Sequence, residues 1–525
     1  MQPRLGPSIL ALLLVLSGVA RAAPFGAAAW SARIDQRLEE AWKRAGVRPA
    51  SGADDATFLR RASLDLIGRI PTVAELREFL EDPAGDKRER AVDRLLDAGA
   101  SARHNATLWR RVWLPQADTP RFAGLADPFE EWLAGGLRDG KRYDQLAREL
   151  LTVAPEGRGL NPAGRASPRA FLTANESAPE NLAAAATRAF LGINLECAQC
   201  HNHPFARWTR DQFWQTAAFF ARPSRKGDAQ PVRLALALPD SGREVTPRLL
   251  DDADVEWPAT LDETTGRQVF ARWAVAADNR YFARNAVNRV WAQFFGTGLV
   301  EPLDDLSDEN PPSHPELLDE LARAFAEGGF DLRALSRAIA LSRAYGQSAL
   351  APAEGSVDPD SRLFARMTIR GLTGEQLYDS LRVAAGLSVE RNDLDPEGAT
   401  RARRRFAEEF RIERTATAKR SVTQALALIN GPLSAELTNP AASPLLAATA
   451  DAPFLDARGQ IETLYLAALG RRPDDNEARP LVSYVETRGA DVRTALADVF
   501  WALLNSSEFN TNHCLAPPRQ GEFPR

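Results

Sequence analysis

The feature that most constrains the fold of this chain is a repeated helix-start signal. In this signal the side chain of a Ser or Thr accepts a hydrogen bond from the helix backbone, and a Glu or Gln three positions later reaches back to the Ser or Thr backbone. The sequence contains five such pairs, which are Thr72/Glu75, Ser177/Glu180, Thr209/Gln212, Ser313/Glu316 and Thr373/Gln376. Because each pair predicts the first turn of a helix, a mainly α fold is expected.

Apolar residues between these starts recur at three- and four-residue steps, for example over residues 30–46 and 56–69. This spacing is typical of amphipathic helices. Residues 222–260 depart from it, because "VRLALALPD" and "REVTPRLL" contain alternating and β-branched residues that favour short strands. We therefore predict a multi-helical protein with two helical domains and a small β-rich insertion around 222–260.

The length of 525 residues is enough for several domains. The composition shifts predict a signal peptide and then a helical domain that carries a cysteine–histidine motif. A β-rich linker or insertion, a second helical domain and a flexible tail follow. The predicted limits of these five parts are 1–22, 28–222, 223–260, 261–514 and 515–525.

The first residues have the pattern of a secretory signal peptide. Arg4 supplies a basic start, an apolar run extends over residues 9–16, and Ala20-Arg21-Ala22 predicts cleavage after Ala22. The apolar run is shorter than the roughly 20 residues that a membrane-spanning helix needs. We therefore expect an exported protein, periplasmic or extracellular, with no transmembrane segment in the mature chain.

The charge pattern argues against nucleic acid as a partner. The net charge is only −5, and acidic and basic residues are interleaved along the chain. The sequence also lacks a Gly-rich phosphate loop, a Gly-x-Ser-x-Gly elbow and a His-Glu-x-x-His helix. These features argue against the common nucleotide-binding and hydrolase classes, but whether the protein is an enzyme stays open.

The stretch "ECAQCHNHPF", residues 196–205, contains two of the three cysteines and two of the five histidines in the chain. It follows a helix that is expected to end at Gly192 and precedes one that is expected to begin near Thr209. A free Cys-x-x-Cys pair outside the cytosol tends to oxidise unless another group occupies the sulfurs. The stretch is therefore the first candidate for a functional site.

The spacing Cys-x-x-Cys-His is the attachment signature of c-type haem. Two thiols three positions apart reach two vinyl groups on one edge of the porphyrin, and the adjacent imidazole ligates the iron. In this interpretation Cys197 and Cys200 form thioethers and His201 is the proximal ligand. Met367 is the internal methionine that the chain offers as a distal ligand.

The haem interpretation also predicts the surroundings of the motif. Arg207 or Arg210 would pair with the propionates, and neighbouring aromatic side chains would shield the porphyrin. These aromatic residues are Phe205, Trp208, Phe213, Trp214, Phe219 and Phe220.

Two other interpretations use the same residues. A zinc site would combine Cys197, Cys200 and His201 with His203, although closed zinc sites usually draw ligands from two chain segments. A disulfide would join the two cysteines, as in thiol-redox motifs. The residues alone leave haem, metal and disulfide open, and they leave the role of Cys514 undetermined.

Four longer stretches carry a family resemblance that spans roughly residues 30–513. They resemble large secreted proteins of planctomycetes and related bacteria, in which the planctomycete cytochrome-like domain (domain of unknown function fifteen-forty-nine) is followed by the domain of unknown function fifteen-fifty-three. The stretches are "FLRRASLDLIGRIPTVAELREFL", "FLGINLECAQCHNHPFARWTRDQFWQTAAFFAR", "NRYFARNAVNRVWAQFFGTGLVEPLDDLSDENPPSHPELLDELA" and "LLNSSEFNTNH".

The resemblance implies a cytochrome-like role in which the family's Cys-x-x-Cys-His falls on Cys197, Cys200 and His201. It also implies an association with secreted sulfatase-like proteins that act on extracellular polysaccharide. Because this chain has no fused cytochrome module, any redox partner is expected to be a separate protein. The expected function is a haem-binding redox protein of the periplasm or cell envelope, and the alternative is a non-haem scaffold with a metal or disulfide site.

Overall fold

The computed structural model describes residues 27–154, 167–224, 232–350, 360–388, 396–412 and 420–512. These residues are mainly α-helical, so the predicted fold class is confirmed. The predicted signal peptide, Cys514 and the predicted flexible tail lie outside the described residues.

The first group of helices packs around a large hydrophobic core. This core contains Ile34, Phe129, Trp291 and Leu335, each of which is fully buried. The helices of this group are α1 (Ala27–Ala45), α2 (Asp55–Ile67), α3 (Val73–Glu81), α4 (Lys87–Asp97), α5 (Gly99–Trp113), α6 (Ala126–Arg138), α7 (Tyr143–Thr152), α8 (Ala170–Ala174), α9 (Pro179–Ala186), α10 (Arg210–Ala217), α11 (Thr265–Ala274), α12 (Phe282–Phe295), α13 (Pro315–Glu327) and α14 (Leu332–Ala340).

The second group packs around a smaller core that contains Leu381, Ile461 and Phe500. Its helices are α15 (Gly374–Ala384), α16 (Pro396–Glu409), α17 (Val422–Asn430), α18 (Pro432–Leu437), α19 (Pro444–Asp451), α20 (Ala457–Leu469), α21 (Asp475–Arg488) and α22 (Val492–Leu504). The first core draws mainly on residues up to Met367, with Leu466, and the second mainly on residues from Leu372 onward, with Leu64 and Ile70. The domain limits that the sequence indicates stay a prediction.

The predicted β-rich stretch forms a small hairpin. Strand β1 (Leu236–Ala237) pairs antiparallel with β2 (Glu244–Val245), and Leu236 lies opposite Val245. The hairpin contacts α10, the helix that follows the cysteine–histidine motif. The stretch is therefore an appendage of the first core.

Three of the five predicted capping boxes are confirmed, at Thr72/Glu75, Thr209/Gln212 and Thr373/Gln376. The other two are wrong by one residue, because the helices begin at Pro179 and Pro315. The residue before a proline is disfavoured in the α conformation. Ala178 and His314 therefore lie just outside their helices, and the serines before them cannot cap.

Two turns of the chain have the same construction. Residues 68–75 and 470–477 each begin with a left-handed glycine, at φ 75° and 73°, and each continues into a capping box. In both turns an arginine forms two hydrogen bonds with the glutamate of the box, at 2.9 Å for Arg69 with Glu75 and 2.8 Å for Arg471 with Glu477. The Gly-Arg-x-Pro sequences at these positions therefore encode the same turn twice.

Helix α2 lies between the two cores and carries buried charges to their boundary. We name Arg60, Arg61, Asp65, Tyr345 and Arg370 the α2 junction; all five are buried. Asp65 accepts hydrogen bonds from Arg370 at 2.7 and 2.8 Å and from the hydroxyl of Tyr345 at 2.8 Å. Arg60 donates to the carbonyls of Ala468 and Phe509, each at 3.0 Å, so α2 connects the two cores through polar contacts.

Candidate functional site

The cysteine–histidine motif lies on a connector, residues 193–209, that we name the Cys–His loop. The last turn of the preceding helix widens into a π-helical turn over Thr187–Leu191 and ends at Gly192, as the sequence predicts. Gly192 has φ 66°, and a Cβ atom there would lie 2.7 Å from Cδ1 of Leu306 and 2.9 Å from Oδ1 of Asn285. Both the backbone conformation and the close packing therefore require glycine where the loop begins.

Helix α12 holds this widened turn in place. The last carbonyls of a helix have no partner within it. Here the side-chain amide of Asn285 donates to the carbonyl of Ala189 at 2.8 Å, and the guanidinium of Arg289 donates to the carbonyl of Arg188 at 3.1 Å. Sequence reasoning missed these two positioning residues, although their four-residue spacing places them on one face of α12.

Cys197 faces outward from a short 3₁₀ turn, Leu195–Ala198, and Cys200 follows closely after that turn. Leu195 and Ala198 are fully buried and anchor the turn, whereas Cys197 and Cys200 are exposed and carry free thiols. The N–H of Gln199 donates to the carbonyl of Glu196 at 3.0 Å and closes the turn. The loop therefore presents two free, accessible thiols three positions apart in sequence.

His201 is exposed, and its ring is oriented by the backbone. Nδ1 lies 2.7 Å from the carbonyl oxygen of Asn202. A carbonyl oxygen only accepts hydrogen bonds, so Nδ1 carries the proton and Nε2 keeps its lone pair. Histidines that bind metals commonly have this arrangement, because the bond at Nδ1 fixes the ring while Nε2 coordinates.

His203 has the opposite arrangement. Its Nδ1 accepts hydrogen bonds from the backbone N–H groups of Phe205 at 3.1 Å and Ala206 at 2.9 Å. The neutral ring must then carry its proton on Nε2, so neither nitrogen has a lone pair left for a metal. The structure therefore gives His203, the residue added in the zinc interpretation, a role in closing the turn at 203–206.

The aromatic residues around the motif mostly lie beneath the loop. Trp208, Phe213, Trp214, Phe219 and Phe220 are each covered by protein in the first core, and their shielding of a porphyrin stays a prediction. Helix α10 turns its apolar face toward that core. Phe205 is the exception, since its side chain is 83% exposed at the outer end of the loop.

Arg207 is engaged on the surface beside the loop. It donates to the hydroxyl of Tyr281 at 3.0 Å and lies 3.9 Å from the carboxylate of Asp308. Its guanidinium also lies 4.8 Å from the ring centre of Trp208. An anionic group at the site would therefore have to share this arginine with Asp308.

Arg210, at the start of α10, faces the cysteines more closely. It pairs with Asp240 at 2.9 Å and donates to the carbonyl of Gln199 at 3.4 Å. The hydrogen bond to Asp240 raises the pKa of Arg210, and the nearby Cys200 acts in the same direction. Arg210 is thus a fixed cation beside the second thiol.

The structure does not bring Met367 to the loop. Its side chain is 1% exposed inside the first core, and its backbone N–H donates to the carbonyl of Ser348 at 3.1 Å. His201 lies on the surface, so Met367 would have to leave the core to share an iron with it. His104 and His314 are buried as well.

Within the described residues, no group of three or more His, Cys, Asp and Glu side chains converges to hold a metal ion. No helix in that part of the chain is both long and apolar enough to span a membrane. The surface chemistry of the loop therefore rests on three side chains, Cys197, Cys200 and His201.

Comparison with known families locates these three side chains in a recognised domain. Residues 33–225 match the family model PSCyt2, described as a protein of unknown function (DUF1549), and residues 266–398 match PSD1, described as a protein of unknown function (DUF1553). No curated protein and no solved structure matches the chain. The chain therefore carries a PSCyt2 domain followed by a PSD1 domain, in the order that its sequence resemblance predicts.

Proposed function

We propose that this protein is an exported redox protein that binds one c-type haem through Cys197, Cys200 and His201. The observation that carries the proposal is the state of the His201 ring. Its Nδ1–H donates to the Asn202 carbonyl at 2.7 Å, so the unprotonated Nε2 is the nitrogen that remains for coordination, next to two exposed free thiols.

The donor set fits this group in both number and chemistry. Cys197 and Cys200, both exposed, would supply the two thioether links, and the adjacent imidazole of His201 would supply a nitrogen ligand for the iron. When bound, haem c supplies a one-electron couple at its iron. The chain's own contribution is to present the sulfurs and to fix the His201 tautomer through Asn202, which leaves the lone pair of Nε2 available.

The exposure of the loop supports exchange of electrons with a separate protein. Both cysteines and His201 are exposed, and Phe205 extends beside them with 83% of its side chain accessible. A partner can therefore approach the site without a change in the fold. The predicted signal peptide supports the same proposal, because it would place the thiols outside the cytosol.

A second candidate is a non-haem scaffold in which the cysteines form a disulfide, acting as an accessory to secreted sulfatase-like proteins on extracellular polysaccharide. The observation in its favour is that both thiols are free and exposed three positions apart. A zinc site that uses His203 is less well supported. Nδ1 of His203 accepts two backbone hydrogen bonds and Nε2 of the neutral ring carries the proton, so the ring has no lone pair left for a metal.

The experiment is to express the full chain in a host with active haem c attachment and to measure intact mass and absorption spectra in both redox states. We expect the added mass of one haem and a spectrum that responds to reduction. Replacing both cysteines, as Cys197→Ser with Cys200→Ser, should abolish the adduct.

Absence of the adduct, in cells that load a control cytochrome, would overturn the first candidate. A mass deficit of two hydrogens would then support the disulfide, and bound zinc by elemental analysis would support a metal site. His201→Ala should change the iron spectrum, whereas His203→Ala should retain it.

A further inference from the structure

We infer that Asn202 is a positioning residue, which holds the His201 ring in the orientation that leaves Nε2 available for coordination. Asn202 lies between the two histidines of the Cys–His loop. Its backbone contacts the His201 ring, and its side chain contacts the start of α10. The inference deepens the proposed function and rests on it for the role of His201, whereas the placement of the ring can be measured in the chain without haem.

The peptide unit between Asn202 and His203 is fixed through its N–H group. The N–H of His203 donates to the carbonyl of Trp208 at 2.8 Å, and Trp208 is buried in the first core. In a trans peptide the C=O and the N–H point in opposite directions. The carbonyl of Asn202 is therefore turned away from Trp208, and it accepts the hydrogen bond from Nδ1 of His201 at 2.7 Å.

The side chain of Asn202 attaches the same residue to α10. Its Oδ1 accepts a hydrogen bond from the backbone N–H of Arg210 at 3.0 Å. Arg210 is the first residue of α10, and the first N–H groups of a helix have no partner within it. The capping box of Thr209 and Gln212 satisfies the N–H of Gln212 at 3.2 Å. Asn202 therefore adds a second acceptor at this helix start and connects it to the residue that contacts His201.

Helix α10 also holds the residue before Cys200. The carbonyl of Gln199 accepts hydrogen bonds from the indole N–H of Trp214 at 3.0 Å and from Nε of Arg210 at 3.4 Å. Trp214 is buried in the first core, so it provides a fixed point for the loop. Cys200 and His201 are exposed, but the residue on either side of this pair is hydrogen-bonded to α10.

The contacts around Asn202 reduce the freedom of a side chain that lies on the surface. Exposed side chains change rotamer rapidly, and ordering one on binding costs conformational entropy. A ring that is already held in its coordinating orientation has lost this freedom before a ligand arrives, which favours binding. Asn202 acts on the site through His201 in this way, so its role is to position the ring.

The test measures the ratio of the two neutral tautomers of His201 by nitrogen NMR on the full chain produced without haem attachment. At about pH 9, where exposed histidine rings are neutral, we expect the form with the proton on Nδ1 to be the major one. Asn202→Ala keeps the backbone carbonyl but loses the contact with Arg210. The ratio of the Nδ1–H form to the Nε2–H form should then fall about two- to tenfold, as expected for the loss of one hydrogen bond.

Two further variants separate positioning from a general loss of structure. Asn202→Asp keeps an oxygen acceptor for the N–H of Arg210 and should retain the native ratio. Asn439→Ala is the matched control, because Asn439 is also exposed and its Oδ1 accepts the backbone N–H of Ala441 at the same distance of 3.0 Å. It should lose a hydrogen bond of the same kind and leave the His201 tautomers unchanged.

The outcomes distinguish this inference from the proposed function. A native tautomer ratio in Asn202→Ala, or an equal fall in Asn202→Asp or Asn439→Ala, would overturn the role of Asn202, and so would a native chain in which the Nε2–H form is the major one. A chain that shows the expected ratios but takes up no haem would overturn the proposed function and still support the positioning of His201. Thermal unfolding of each variant within about 4 °C of the native chain shows that the ratios compare folded proteins.

Discussion

The polar side chains of the Cys–His loop and those of the α2 junction differ in their exposure to solvent. In the loop, Cys197, Cys200 and His201 are exposed and have few contacts with the rest of the protein. In the junction, Asp65 and Arg370 are buried and hydrogen-bonded to each other. The reactive groups are thus placed where other molecules can reach them, and the buried charges connect the two cores.

The histidines repeat this contrast. Burial lowers the pKa of His104 to about 4 and that of His314 to about 4, so both are neutral parts of the interior. His201 and His203 lie on the loop, and backbone groups fix a different tautomer in each. The same residue type therefore serves packing in one region, whereas in the other its rings lie on a surface loop and hydrogen-bond to the backbone.

The largest effect is expected when one partner of the α2 junction is removed. Asp65→Asn leaves the guanidinium of Arg370 buried without a counter-charge. Loss of one partner from a buried pair costs about 3–5 kcal/mol. Chemical denaturation at neutral pH should therefore show a fall of that size in the free energy of unfolding.

The matched control is Asp451→Asn, which removes the carboxylate of a surface pair with Arg493. Both side chains of that pair are more than half exposed, at 57% and 60%, and exposed pairs contribute about 0–1 kcal/mol. Equal effects at Asp65 and Asp451 would contradict the view that the junction holds the two cores together.

Acid should destabilise the protein through the interior histidines. Their pKa is about 4 in the folded chain and 6.5 as the ordinary value, so between these pH values the unfolded chain binds more protons. Stability is therefore retained above pH 6.5 and falls as the pH is lowered toward 4. Each histidine should contribute a loss of up to about 3 kcal/mol over this range.

Unfolding free energies at a series of pH values measure this effect. The variant His104→Gln with His314→Gln should show a shallower fall between pH 6.5 and 4 than the native chain, whatever its stability at neutral pH. The surface variant Arg493→Gln should keep the native slope. An unchanged slope in the double histidine variant would assign acid sensitivity to other groups.

Gly192→Ala tests whether the position at which the Cys–His loop begins requires glycine. The substitution combines a left-handed φ of 66° with a Cβ only 2.7 Å from Leu306, so we expect a loss of about 2 kcal/mol or more. Gly46→Ala is the control, because Gly46 has φ 65° and nothing within 4 Å of the added Cβ. It should cost about 1 kcal/mol, and the difference between the two in thermal or chemical unfolding reports the packing under the loop. Equal losses would mean that the contacts with Leu306 and Asn285 are unimportant.

Short sequence patterns predicted much of this fold. They failed where a neighbouring residue moved the start of a helix. The capping boxes at Thr72, Thr209 and Thr373 are confirmed because each hydrogen bond forms within four consecutive residues. At Ser177 and Ser313 a proline two positions on shifted the helix start. Proline disfavours the α conformation of the residue before it, and this restriction outweighs the hydrogen bond that a serine cap would form.

The site was predictable as a motif but not as a geometry. Spacing alone indicated Cys197, Cys200 and His201 as a unit, and it left His203 as a ligand only in the zinc interpretation. The distinction depends on which backbone groups each ring meets, which follows from the path of the loop. Asn285 and Arg289 were likewise missed, because their partners lie 96 and 101 positions away along the chain.

The smallest expected effect distinguishes the two loop histidines. His203→Ala removes the acceptor of two backbone N–H groups, so we expect a loss of about 1–2 kcal/mol in the free energy of unfolding. His201→Ala removes an exposed ring with one local hydrogen bond and should change that free energy by less than about 0.5 kcal/mol. The absorption spectrum of the haem-loaded chain should respond in the reverse order, with a large change for His201→Ala and little change for His203→Ala. If both variants altered stability and spectrum alike, the two rings would share one role, and the tautomers would not separate a ligand from a turn residue. The paired measurement therefore tests whether the hydrogen bond to Asn202 marks His201 as the residue that the fold keeps for chemistry.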